Sequence, residues 1–312
     1  MEKNSHTEQI MSLLESVVRT LSQAIDERSS YTANHTRNMV QLAEAFLNWL
    51  DETKHPWKFG ENRRRAFLMS VWLHDVGKLA VPLEIMDKAS KLGAEMKTIE
   101  ERFIKVSLLE EVAMLRGKLT AEERELRQKE RNDALEEIMC INRAEFVPDE
   151  KMDFLKRIMG KTYIDENGKE QPLLTDSEME NLSIRKGTLN AREREIIQSH
   201  ATVTARILDQ INFPDEYGHV PIWASEHHEL LSGRGYPDHL KGNQIPKEVR
   251  LLTILDIFEA LTAKDRPYKK PMTIERAISI LDSMVTSGDL DGEILAMFKE
   301  CKAWEKLGAE LL

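Results

Sequence analysis

Apolar residues return at spacings of three and four along most of this chain, and helix breakers are scarce, with 14 Gly and 10 Pro in 312 residues. Glu, Lys, Leu, Arg and Ala are abundant and aromatic residues make up only 6%. Both features favour helices over sheets and predict an all-α fold. A hydrophobic content of 41% is enough for a core. The length admits one large domain or two ordinary ones. The first 27 residues display the pattern, with Ile10, Leu13, Leu14, Val17, Val18, Leu21 and Ile25 forming one stripe. Such a stripe must be covered. The cover is either the chain's own body, or a dimer or an upstream sensor for which this helix is the lever.

A second helix is expected from about residue 32 to 50, with His35 in its first turn. Pro56 and Gly60 then break the chain. The run AFLMSVWLHDVGK reads as a buried helix ending near Gly77, and Pro82 prevents its continuation. From about 83 to 190 the sequence turns charge-dense. This stretch reads as a helical insert: an antiparallel pair of long helices turning at Gly117, and a small β-hairpin at Asn167-Gly168. Helix resumes near Ala191 and continues towards the C-terminus, interrupted by a Gly-rich loop at 233–237. The expected organisation is an N-terminal helix at 1–27 and a main domain at 28–312, interrupted by the insert.

The formal charge of −10 argues against a binder of polymeric nucleic acid, which needs a basic footprint. It leaves room for a small anion held by a local metal or cationic cluster. The two cysteines, Cys140 and Cys301, have no zinc-type spacing and read as reduced thiols of a cytoplasmic protein. No stretch approaches the roughly 18–20 apolar residues of a membrane span. The start, MEKNSHTEQI, lacks signal-peptide character. A cytoplasmic protein without direct membrane insertion is expected. A homodimer or signalling partner would engage the N-terminal helix or the insert.

Of nine histidines, His35, His74, His200, His227 and His228 fall in predicted helices with apolar flanks. His6, His55, His219 and His239 stand in polar or loop contexts with no special role expected. A lone histidine on an apolar face is usually a hydrogen-bonded core residue, but the dipeptides alter that reading. His74-Asp75 closes a buried helix, where an imidazole and a carboxylate are costly unless paired or bound to a metal. Adjacent helical residues point about 100° apart. They can still converge on ions beyond the helix end, where the Asp can bridge. Gly77 permits close backbone approach and Lys78 adds positive charge. His227-His228 repeats the pattern after Ile222-Trp223-Ala224. Asp256 lies inside LLTILDIFEAL, where an unpaired carboxylate would be expensive. It needs a buried cation, either a basic side chain or a metal. The nitrogen- and oxygen-rich set suits Mn²⁺, Fe or Zn²⁺, and its size suits a pair of ions. Two ions can bind phosphate oxygens, acidify a bridging water and stabilise developing charge. No nucleophilic Ser motif competes with this reading.

In chain order, the set comprises His35, His74-Asp75 with Gly77-Lys78, His200, His227-His228-Glu229, Gly235-Tyr236-Pro237 and Asp256. Ala260-Leu261-Thr262 and Arg266-Pro267-Tyr268-Lys269 follow. This series resembles the HD-GYP family over about residues 28–82 and 184–300. The resemblance implies a helical HD-domain bundle with a C-terminal GYP extension. It also implies hydrolysis of cyclic di-GMP to pGpG and/or GMP by a bridging hydroxide at a binuclear site. The alternatives are a phosphodiesterase for another cyclic dinucleotide, and a slow or inactive receptor signalling through a partner.

By that resemblance, His35, His74, Asp75 and Asp256 hold one divalent ion. His200, His227, His228 and the shared Asp75 hold the other. Fe or Mn is favoured, with Zn, Ni and Mg compatible. Lys78 would contact the scissile phosphate, and Arg266 and Lys269 the other phosphates. Tyr236 would shape the guanine side of the pocket or order its loop. Tyr31 stands where some members carry a Glu for a third metal, so two ions are expected. Ser232 replaces the Asp often found before the first loop glycine, which changes the loop's hydrogen bonding. Glu259-Ala260-Leu261 spells the signature of an unrelated family and reads as coincidence.

Overall fold

A computed structural model describes residues 2–28, 34–264 and 271–307, with side chains from residue 12 onward. The secondary structure is helical apart from one two-stranded sheet among the described residues, as the all-α expectation requires. No helix described is long and apolar enough to cross a membrane. The chain divides into two compact units, one formed by Met1–Asp87 with Glu195–Leu312 and the other by Lys88–Arg194. The second unit begins and ends a few residues later than the 83–190 insert expected from composition.

The first unit opens with α1 (Glu2–Asp26), α2 (His35–Glu52), α3 (Glu61–Leu73), a 3-10 turn (Val76–Ala80) and the short α4 (Leu83–Met86). On α2 the apolar stripe Met39, Leu42, Ala43, Phe46, Leu47 and Leu50 is fully buried, as its three-and-four spacing demands. α1 belongs to this unit. Its Val18 and Ile25 lie in the core and Leu14 packs against it. The other side of its stripe stays open, with Leu13, Val17 and Leu21 66%, 47% and 51% exposed.

The second unit contains α5 (Glu95–Leu115), α6 (Ala121–Arg143), α7 (Asp149–Ile158), β1 (Thr162–Ile164), β2 (Glu170–Pro172) and α8 (Asp176–Leu182). Gly117 takes a left-handed φ of 70° in the α5–α6 connection. The two strands pair antiparallel around Asn167-Gly168. Thr120 with Glu123 and Thr175 with Glu178 form capping boxes that start α6 and α8. The unit has its own core, including Ile99, Phe103, Ile138, Ile141, Leu155 and Leu182.

The chain then runs through α9 (Ala191–Leu208), α10 (Val220–Ser225), α11 (Lys247–Thr262), α12 (Ile274–Thr286) and α13 (Gly292–Cys301). α11 packs against α2, α10, α12 and α13. Val249, Leu251, Leu252, Ile254, Leu255 and Phe258 are all buried on it, so it is surrounded on every side. Two acids one turn apart, Asp256 and Glu259, are buried with them.

The 3-10 turn lies directly on α9. A Cβ on Gly77 would fall 1.9 Å from the carbonyl oxygen of His200 and 2.7 Å from the amide nitrogen of Thr204. Only a residue without a side chain permits this approach. Gly77→Ala should therefore cost about 1–3 kcal/mol by overpacking. Truncating the buried Phe258 to Ala should cost about 3–5 kcal/mol. Leu13→Ser on the open face of α1 should change stability by less than about 0.5 kcal/mol. Urea unfolding of the three variants tests this order, and equal losses would contradict the packing described.

Candidate metal centre

Five segments deliver the site. His35 is the first residue of α2, His74 caps the end of α3, and Asp75 leads into the 3-10 turn that carries Lys78. His200 lies on α9, and Asp256 on α11. The apolar run before His227 and His228 predicts that they sit on a helix, and they do not. α10 ends at Ser225, and both rings project from the turn that follows. Leaving the helix frees neighbouring residues from the fixed angle between successive helical side chains. Their ring centroids lie 3.9 Å apart.

All seven side chains meet in one place. The donor atoms of His35, His74 and Asp256 lie within 4.8 Å of one another, and so do those of His200, His227 and His228. Asp75 stands between the two groups. Its Oδ2 is 3.2 Å from His74 Nε2 and 3.6 Å from His35 Nε2. Its Oδ1 is 3.4 Å from His200 Nε2 and 3.9 Å from His227 Nε2. Asp256 also spans the groups, with Oδ1 3.3 Å from His35 Nε2 and Oδ2 3.7 Å from His228 Nδ1.

The outer ring nitrogens fix the tautomers. Nδ1 of His74, His200 and His227 donates to the carbonyls of Val71, Ile197 and Ala224 at 2.7, 2.6 and 2.7 Å, each three residues back. A carbonyl only accepts, so Nδ1 holds the proton and Nε2 turns its lone pair inward. His35 Nδ1 lies 2.5 Å from Oε2 of Glu259, whose Oε1 accepts from Asn38 Nδ2 at 2.9 Å. Sequence reading dismissed Glu259 as part of a coincidental tripeptide. Its position three residues after Asp256 on an otherwise apolar helix was the available signal.

The inward-facing atoms call for positive charge. The Nε2 atoms of His35 and His74 face each other at 3.1 Å, and Oδ1 of Asp75 is buried without a hydrogen-bond partner. Burial opposes the charged form of Asp75, but Lys78 and His74 hold its carboxyl well below the usual range. Asp256 is likewise lowered, its burial outweighed by the hydrogen bond to His35 and the charge of that ring. Burial pushes His228 down to about 3 and also lowers His200 and His227. For His35 burial works the same way, but the Glu259 and Asp256 carboxylates outweigh it and raise it to about 10. Two ionised carboxylates, with His200, His227 and His228 kept neutral by burial, form a donor set that fits divalent cations, whose binding would displace the proton on His35.

Lys78 sits at the edge of this centre, its side chain 20% exposed and its Nζ 2.6 Å from Oδ2 of Asp75. Thr204, one turn beyond His200, fastens the His-Asp segment to α9. Its hydroxyl accepts from the Gly77 amide and donates to the His74 carbonyl, both at 3.0 Å. Tyr236 lies against His228, with ring centroids 4.7 Å apart, and its amide donates to the His228 carbonyl at 3.2 Å. A Cβ on Gly235 would come within 2.5 Å of that carbonyl oxygen. Glu229 holds the far end of the loop by accepting from the amides of Asp238 and Leu240 at 2.6 and 3.0 Å.

The hydrogen bonding left open by Ser232 is supplied from a distance. Its hydroxyl donates to Asp289 at 2.5 Å, and Arg234 Nη2 donates to the same carboxylate at 2.7 Å. Arg266 and Lys269, expected at the substrate phosphates, lie outside the described residues, as do Tyr31 and Tyr268. His55 and His219 stack on Trp49 and Trp223, away from the cluster.

The HD-domain family matches residues 176–294. That span includes His200, His227, His228 and Asp256, whereas His35, His74 and Asp75 precede it. The 3'3'-cGAMP-specific phosphodiesterase 3 of Vibrio cholerae is 34% identical over 116 residues, covering 37% of this chain and 24% of that protein. The cyclic di-GMP phosphodiesterase of Thermotoga maritima is 36% identical over 101 residues, covering 32% of this chain and 27% of its own length. The cyclic di-GMP phosphodiesterase response regulator RpfG of Xanthomonas campestris is 33% identical over 99 residues, covering 31% and 25%. The chain thus spans about a quarter of the length of these curated relatives. It is similar to the HD-domain family over residues 176–294, and these relatives agree with the HD-GYP resemblance read from its motifs.

Proposed function

We propose that this chain is a metal-dependent phosphodiesterase that opens cyclic di-GMP to pGpG and/or GMP, using two divalent ions at the His/Asp centre. The observation that carries the reading is the division of Asp75, one oxygen towards His35 and His74 and the other towards His200 and His227. A carboxylate so placed suits a bridging ligand. Fe or Mn fits the nitrogen- and oxygen-rich set best, and Zn, Ni and Mg are compatible. Bound there, a pair of ions would supply Lewis acidity towards phosphate oxygens and an activated water.

The chain's own groups do the rest. Protons held on Nδ1 of His74, His200 and His227 keep each Nε2 available as a donor. Glu259 holds the His35 ring in the corresponding orientation. Lys78, on a side chain long enough to leave Asp75, places an ammonium beside the scissile phosphate and offsets charge on the leaving oxygen. Tyr236 covers His228 at the guanine side of the pocket. Arg266 and Lys269 hold the remaining phosphates.

A second substrate has a specific observation behind it. Three of the relatives, 34%, 35% and 39% identical, are named as specific for 3'3'-cGAMP. The two dinucleotides share the phosphodiester chemistry that the centre suits, so they belong in one assay.

The test is turnover of both dinucleotides by anaerobically purified chain reloaded with Mn²⁺ or Fe²⁺. Linear product from cyclic di-GMP is expected, with loss of activity in Asp75→Ala. Glu259→Gln should weaken metal affinity by about 10–100-fold, measured by competition with a chelating dye. Full turnover in a verified Asp75→Ala protein would sink the mechanism. Product from 3'3'-cGAMP alone would reassign the substrate, and tight binding without product would make the chain a receptor.

A further inference from the structure

We infer that Arg28 is a positioning residue for Lys78, through which the seating of α1 sets the geometry of the reaction centre. This rests on the role proposed for Lys78. Arg28 follows the last turn of α1, its amide still bonded to the Ile25 carbonyl at 3.1 Å. Its side chain crosses to the 3-10 turn. Nη1 donates to the carbonyls of Lys78 and Leu79 at 2.8 and 2.7 Å, and Nη2 to that of Val81 at 3.2 Å.

These are the carbonyls at the C-terminal end of a helical turn, where internal donors run out and positive charge is favoured. The Lys78 carbonyl has one further donor, the Val81 amide at 3.1 Å, and Val81 is buried. Leu79 is 49% exposed and Ala80 is exposed, so side-chain packing contributes little between Gly77 and Val81. The Lys78 backbone is therefore held from two sides. Its amide donates to the Asp75 carbonyl at 2.9 Å, and its own carbonyl accepts from Arg28 at 2.8 Å as well as from the Val81 amide. With the backbone fixed, the four-carbon side chain brings Nζ to 2.6 Å from Asp75 Oδ2.

The planar fork of an arginine spans three carbonyls in a way that a single ammonium does not. A second tie joins α1 to the segment carrying His35. Thr36 donates to Asp26 at 3.0 Å, one residue beyond that histidine. A rotation or withdrawal of α1 would thus act first on the lysine turn, through Arg28.

The test is a double-mutant cycle on the full chain with Arg28→Ala and Lys78→Ala, supplemented by Arg28→Lys. Arg28→Ala should lower kcat by about 10- to 100-fold, with KM little changed and the same Mn²⁺ content as the wild type. In the Lys78→Ala background the same change should leave kcat within about twofold, because the group it positions is gone. Arg28→Lys should recover part of the loss. Hydrogen exchange should rise at the amides of residues 78–81 in Arg28→Ala, without a general rise elsewhere.

An equal loss in both backgrounds would overturn the inference, since Arg28 would then act on the fold and not through Lys78. Unchanged kcat in Arg28→Ala would overturn it as well. Should the wild type open no cyclic dinucleotide, the phosphodiesterase reading fails separately, and exchange decides the fate of Arg28. Unchanged protection at 78–81 would then reject it, and a confined rise would support it.

Discussion

A carboxylate removed from water is unstable unless something positive faces it. Asp75 is such a group, buried between two sets of imidazoles with one oxygen turned to each. Its Oδ2 has Lys78, but its Oδ1 has no hydrogen-bond donor. The surrounding features serve this arrangement. Backbone carbonyls fix three imidazoles with their lone pairs inward, and Glu259 orients a fourth. Asp256 brings a second negative charge from the opposite side of the cluster. Carboxylates and imidazole nitrogens gathered in an interior are a poor way to stabilise a fold and a good way to hold cations.

The helices are arranged to tolerate that strain. α11 is buried on all faces, so its acids cannot escape to solvent and must be satisfied where they stand. The His-Asp segment is pressed onto α9 at a glycine that admits no side chain, with Thr204 bonded to both sides of it. The loop bearing Tyr236 is drawn against His228 and anchored by Asp289, far along the chain. Three separate contacts thereby hold the clustered side chains in register while the hydrophobic core supplies the stability.

Much of this was legible in the sequence, for a physical reason. His35, His74, Asp75, His200, His227, His228 and Asp256 are polar residues in strongly apolar surroundings, and such residues must find partners. Their order along the chain gave the resemblance. What escaped notice depends on contacts that no local pattern encodes. Thr204 matters through two backbone groups more than a hundred residues away, and Asp289 through a loop more than fifty residues before it. Glu259 was visible through helical spacing, one turn after Asp256 on an otherwise apolar helix. Periodicity also placed His227 and His228 on a helix, whereas α10 stops two residues short of them. The apolar stripe on α1 offered either internal packing or an outside partner. Val18 and Ile25 are packed internally while Leu13, Val17 and Leu21 remain open, so one stripe contains both kinds of surface.

The most direct test of a shared Asp75 is anomalous diffraction from crystals of the chain loaded with Mn²⁺. Two peaks are expected, one beside each oxygen of Asp75, about 3.5–4 Å apart. One peak should lie among His35, His74 and Asp256, and the other among His200, His227 and His228. A single peak, or density away from Asp75, would contradict the binuclear centre on which the proposed chemistry depends.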